Sequence, residues 1–429
     1  MAPRIPMIPS RAATTAIMIA FALAVAFARQ PRACAQQGKS TWGQILIAGG
    51  PNDGGVDLYD PASNRFAPES VTPRAKRRVW ATATLLVTGP NAGKVLLAGG
   101  DNRNNYPRAS TELYDPATNT VVNGPAMKTP RSGHTATVIP SGPNAGKILL
   151  AGGMGGEVGE LSSTELYDPA SNTFSPGPAM RSPCSLCRAT VTTSGKNPGK
   201  ILIAGGYDPH GVLGSTQLYD PAANAFAPGP IMHPARVAFT ATVIPAGKNA
   251  GKILIAGGAQ LGAKHINDPT ELYDPALDNF VRGPAMKSTR HEPTATPILS
   301  GPNAGKILIA GGERDDNDET GRDASLASTE LYDPDTNSIA LGPVMNKPRV
   351  AHTATVILSG KNAGKILLAG GIEKDTDKNG SGIFLYLRST ELYDPATNTL
   401  APGPMMNLDR FDAVAVQLPS APSASARPH

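Results

Sequence analysis

Six arginines of this 429-residue chain stand at one recurring position. Arg131, Arg236, Arg290, Arg349 and Arg410 each follow a methionine by four residues, and Arg78 holds the equivalent place in a longer loop. A ring of guanidinium groups is suited to gripping carboxylates through paired N–H donors, so an acidic protein or glycan is the expected ligand. The same regularity supports a second reading. A residue found in nearly every repeat serves what every repeat needs, here by bonding backbone carbonyls of the adjoining unit.

The fourth unit departs from the rule. Cys184 takes the arginine position, and Cys187 takes the place held by His134 and His352 elsewhere. A Cys-x-x-Cys can be a small disulfide loop, a redox pair or half a metal site. This pair precedes an apolar run instead of opening a helix, there is no second Cys-x-x-Cys, and the histidines do not cluster. A structural disulfide between Cys184 and Cys187 is expected. Two long loops are acidic. Asp375, Asp377 and Asn379, followed by Gly380, form the first half of a calcium loop, and Asp316 to Gly321 echo it. Neither has the bidentate Glu; Tyr386 stands in its place after Asp375. A solvated charged loop is therefore the expected reading, with calcium as the weaker alternative and no other cofactor.

These residues hang on a repeat. ELYDP or a close variant occurs seven times, with tyrosines at 59, 114, 167, 219, 273, 332 and 393. Each copy follows a diglycine, from Gly49-Gly50 to Gly370-Gly371. A full unit runs His134 to Ile139, a turn at Pro143 to Gly146, Lys147 to Gly153, Ser163 to Pro169, Asn172 to Phe174 and Gly177 to Met180. Each apolar run spans four to seven residues between Gly, Pro, Asn or Asp, which predicts strands. Four short strands per unit, here a to d, make one antiparallel propeller blade. The apolar residue after Asn-x (Phe66, Val121, Phe174, Phe226, Phe280, Ile339, Leu400) is expected to pack between blades.

Diglycine, tyrosine, a later aromatic position and Met-x-x-x-Arg together resemble the kelch repeat, with a spelling like that of secreted bacterial members. The resemblance covers Ile45 to about Leu418, although Phe or an aliphatic residue replaces the usual Trp of strand d. It implies an all-β seven-bladed β-propeller of four-stranded antiparallel blades. Gln44 to Gly50 begins the series as a strand b, and Phe411 to Leu418 ends it as a strand a. The ring is thus expected to close by pairing both chain ends. The a–b and c–d loops share one face and repeat almost verbatim. The b–c and d–a loops share the other face and vary, from Pro51–Gly55 to Glu313–Ser328 and Ile372–Ser389. Variable loops on a rigid scaffold are where binding sits. Kelch domains that take acidic peptides use arginines at this kind of position, so the resemblance points to a binding scaffold working through the b–c/d–a face. The alternative is an enzyme like galactose oxidase or a sugar epimerase at the same central mouth. No triad or carboxylate pair can be assigned, because the acids recur with the repeat.

The remaining bounds are compositional. Arg4 and Arg11, the apolar run Ala12 to Ala28 and Ala33-Cys34-Ala35 read as a signal peptide over residues 1–35. The expected localisation is secreted, extracellular or periplasmic, with no membrane attachment after cleavage. The net charge of +5 then falls to +1, because the segment holds four arginines and no acid. Nothing argues for nucleic acid. The propeller is assigned 36–418, a disordered Pro/Ser/Ala-rich tail 419–429, and a monomer is expected.

Overall fold

The computed structural model describes residues 40–51, 54–102, 104–259, 269–315, 323–376 and 381–421. The expected signal peptide lies outside them, as do Asp377, Asn379 and the last eight residues of the tail. Among the described residues there is no α-helix, and no helix long and apolar enough to cross a membrane.

Seven four-stranded antiparallel sheets carry the seven units in the strand order a-b-c-d. In the third, for example, Thr135–Val138, Ile148–Ala151, Thr164–Asp168 and Thr173–Pro176 pair in sequence. Inner strands lie beside inner strands round the ring. The first blade draws on both chain ends: Ala413–Gln417 pairs with Ile45–Gly49, Ile45 opposite Gln417 and Gly49 opposite Ala413. Beyond this strand, the Pro419 carbonyl accepts from the Gly43 N–H at 2.8 Å, so the start of the expected disordered tail is tied down.

Strand b is apolar throughout because both of its faces are covered by neighbouring blades. Each hydrophobic cluster spans two blades. One joins Leu86, Leu96 and Leu113 of the second to Ile148, Leu150 and Tyr167 of the third. Another joins Leu367 and Leu392 of the seventh to Ile45, Ile47 and Tyr59 of the first. The residue after Asn-x sits in these clusters, and where it is Phe its ring tilts against the repeat tyrosine at 5.1–5.6 Å.

The repeated phrase follows from that packing. Every ELYDP tyrosine is fully buried, and a buried hydroxyl needs a partner. Tyr167 donates to Asn172 at 2.8 Å, and Asn172 has φ 54°, the left-handed turn conformation that Asn tolerates. From the adjoining blade, Asn249 donates to the Tyr332 hydroxyl at 3.0 Å, and Asn362 reaches Tyr59 across the chain ends at 2.8 Å. The Asp of the phrase caps its own turn through the backbone N–H two residues on, as Asp168 does for Ala170. The a–b/c–d face is thus occupied by bonds that hold blades together.

Deleting residues 411–418 should leave Ile45–Gly49 as an exposed apolar edge. The expected outcome is aggregation on size-exclusion chromatography and a lower melting temperature. A truncated chain that melts like the full one would contradict it.

Candidate functional site

All six repeat arginines are buried, at 2% exposure or less. The side chain of Arg131 bonds the Gly152 carbonyl at 2.9 Å, the Ser163 carbonyl at 2.8 Å and the Glu165 carboxylate at 3.3 Å, all in its own blade. Arg78 meets Gly99, Ser110 and Glu112 in the same way, and Arg290 and Arg349 repeat the pattern with Glu330 and Glu391. Arg236 bonds Gly257 and pairs with Glu271, and Arg410 joins Gly49 and Asp57 across the chain ends. The expectation of free guanidinium groups ringing the mouth for an acidic ligand therefore fails, because each fork is spent inside its blade. Their placement is that of the repeat-serving reading.

The main chain of the same residues completes a belt. The Gly100 N–H donates to the Arg131 carbonyl, Gly258 to Arg290, Gly312 to Arg349, Gly371 to Arg410 and Gly50 to Arg78. Each arginine so links the diglycine of the preceding blade, through its backbone, to that of its own blade, through its side chain. The glycines are required: a Cβ on Gly99, at φ 62°, would lie 2.3 Å from the Arg131 oxygen.

At the fourth blade the main-chain half of the belt persists, the Gly153 N–H donating to the Cys184 carbonyl at 2.8 Å, but the side-chain half is lost and its charges are removed together. Cys184 and Cys187 form a disulfide, with Cα atoms 6.0 Å apart. The acid of the phrase is here Gln217, whose amide takes the Arg181 N–H and donates to the Ser182 carbonyl. Losing the arginine alone would strand a buried carboxylate, so a neutral amide stands in its place. The Cys position in other blades holds His134 and His352. Burial, with the charges of Arg131 and Arg78, pushes His134 down to about 3, so it stays neutral against the Thr82 hydroxyl at 3.0 Å.

Two residues beyond the arginine position the backbone turns left-handed in every blade. Trp80, Gly133, Leu186, Ala238, Glu292, Ala351 and Asp412 have φ between 48° and 61°, and only one is glycine. They form an inner ring with blade-to-blade bonds: Gly133 N–H to Trp80, Leu186 to Gly133, Glu292 to Ala238 and Asp412 to Ala351. Strained positions of this kind gather at functional sites. Two ring members are acids. Glu292 is 3% exposed, and neither carboxyl oxygen has a hydrogen-bond partner among the described residues. Burial raises its pKa well above the ordinary 4.5, and the charges of Asp412 and Glu313 raise it further, against Arg188 and Lys374. Arg188, where most blades have Thr, is pushed down to about 10 by burial despite Glu292 and Asp412. Sequence reasoning missed this group; its signal was two acids at a position otherwise held by uncharged residues.

Above the ring, the two acidic b–c loops make one structure. Glu313–Asp315, Asp323–Ser325, Ile372–Thr376 and Gly382–Tyr386 pair as a separate four-stranded sheet. Asp375 lies in a strand of this sheet, opposite Ile383. No group of three or more metal-ligating side chains occurs among the described residues. Lys374 reaches down to Glu313 at 2.5 Å, and the Tyr386 ring stacks on Phe411 at 4.7 Å. The edge strand Gly382–Tyr386 is exposed at every residue, including Ile383, Phe384 and Leu385.

The geometry is that of a β-propeller whose blades are copies of one unit. The Kelch motif model matches residues 130–181, one such unit, which supports a kelch-repeat family for the chain. No curated protein matches it.

Replacing Arg290 with Cys should cost about 3–5 kcal/mol by stranding Glu330. Adding Glu330→Gln, which copies the fourth blade, should restore part of that; urea unfolding midpoints decide it. A second expectation concerns Glu292. Its raised pKa means the folded chain keeps a proton the unfolded chain has shed, so stability falls as pH rises above about 4.5 until the folded group ionises. Glu292→Gln should melt higher than the parent above that pH, with the gap closing below it.

Proposed function

We propose that the protein is a binding scaffold whose partner docks on the b–c/d–a face as an extended segment added to the strand Gly382–Tyr386. The observation that carries this is that strand. An edge strand presents unpaired backbone groups, and natural proteins blunt such edges with charge or proline. This one instead shows Ile383, Phe384, Leu385 and Tyr386 to solvent. Backbone pairing would supply affinity, and alternate side chains would supply specificity. The kelch-repeat propeller is commonly an interaction scaffold.

Charge selects the partner. The loops Glu313–Ser328 and Ile372–Ser389 hold nine acidic and five basic residues. With the arginines spent inside the blades, the face favours a segment that alternates apolar residues with lysine or arginine, in place of an acidic one. A second copy would bring like charge, which supports a monomer in solution. Export remains part of the proposal: it rests on the residues 1–35 pattern and on the Cys184–Cys187 disulfide, which suits an oxidising compartment.

Selection of a random displayed peptide library on the full chain tests the reading. Enriched peptides should alternate apolar and basic residues and slow amide exchange at 382–386. Phe384→Glu with Leu385→Glu should weaken them at least about tenfold, roughly 1.4 kcal/mol, at unchanged melting temperature. Binding that ignores this double variant would sink the proposal.

A further inference from the structure

The buried carboxyl of Glu292 makes none of the bonds of the belt or of the inner ring, and its surroundings are uneven in charge. Around it stand Asp412 of the inner ring, Glu313 and Lys374 of the loop sheet, and Arg188 of the fourth inner strand. Lys374 is committed to Glu313, and the Arg188 Nε donates to the Phe239 carbonyl at 2.7 Å. Three acids thus face two bases, and of the three it is the buried Glu292 whose two carboxyl oxygens both lack a hydrogen-bond partner among the described residues. An ionised carboxyl held like this is costly unless a proton or a cation joins it.

We infer that the axis beneath the mouth is a site for an organic monocation, an ammonium or guanidinium group whose N–H donors Glu292 accepts, with Asp412 beside it. Among the described residues no acid cluster meets the needs of a metal ion, and two flanking cations disfavour a divalent charge. An N–H-bearing monocation fits both constraints: it supplies the one missing charge and directional donors to two free carboxyl oxygens. The site is also joined to the exposed strand. Lys374, beside Glu292, lies directly opposite Phe384 in the loop sheet, and Tyr386 covers Phe411, which adjoins Asp412.

The cation can come from two sources: a free amine, or the lysine or arginine side chain of a docked segment. Only the second rests on the strand-docking proposal. Calorimetry with propylammonium and propylguanidinium on the full chain addresses the first, with propanol as the neutral control. At least one cation should bind saturably and propanol should not. Glu292→Gln should weaken binding about tenfold or more, and Glu157→Gln, an exposed loop acid, should leave it unchanged. Asp412→Asn should weaken it in the same direction, a second reading should the first variant fold poorly. For the second source, a library-selected peptide is compared with its lysine-to-norleucine version. A lysine advantage present in the parent and absent in Glu292→Gln assigns the side chain. Cation binding with equal affinity for both peptides assigns the free amine and leaves strand docking to its own test, whereas cation binding with no peptide selected at all leaves the site standing while the strand proposal falls. The inference is overturned if neither cation binds and lysine gives no advantage, or if Glu292→Gln changes nothing.

Discussion

The belt of buried arginines is the constraint on which the ring depends. A propeller blade is bonded within itself by its ladder, but blades meet largely through apolar side chains, which fix distance better than angle. The arginine supplies direction. Its backbone carbonyl accepts from the diglycine of one blade, and its fork holds the diglycine carbonyl and the phrase acid of the next. Two glycines are needed because the left-handed turn must put an N–H and a C=O within reach of different arginines while admitting no Cβ. The same bonds run from Arg410 to Gly49 and Asp57, so the chain ends are joined by the device that joins every other pair.

The belt also sets the cost of departures. A buried guanidinium and its carboxylate are each tolerable only with the other, so they must be lost together. Cys184 with Gln217 is that double loss, and the disulfide to Cys187 restores a local tie at the point where the fork is gone. Lys–Asp pairs such as Lys147 with Asp168 also recur, but they lie near the surface, where such pairs contribute little. Burial, and not recurrence alone, separates the two kinds of ion pair.

Much of the scaffold was legible because short-range chemistry dictates it. Diglycines, Asp-Pro turns and Asn-x-apolar steps mark strand ends, and the phase of the first and last elements tells how the chain ends pair. The fate of Arg131 and its counterparts was not legible. A loop arginine can face solvent or turn back, and the choice depends on carbonyls some 20 residues away in the folded blade. Gln217 was a readable hint, since only the unit without the arginine spells the phrase with an amide. The run Ile383 to Tyr386 was another, an apolar stretch inside an acidic loop. That two such loops pair as one sheet is a contact between blades, which no local pattern carries.

Regularity and function divide the molecule in a physical way. Positions that every blade needs are occupied by side chains whose polar groups are already satisfied, as with the tyrosines and arginines. Such groups have nothing left to offer a ligand. The inner ring differs. Its backbone is fixed by blade-to-blade bonds, so its conformation asks for glycine or for a residue that tolerates strain, yet its side chains carry no packing duty common to the blades. Trp80, Leu186, Glu292 and Asp412 at equivalent sites show how freely that position varies while the fold stays constant. Chemistry peculiar to this chain accumulates where the scaffold holds the backbone and leaves the side chain unassigned.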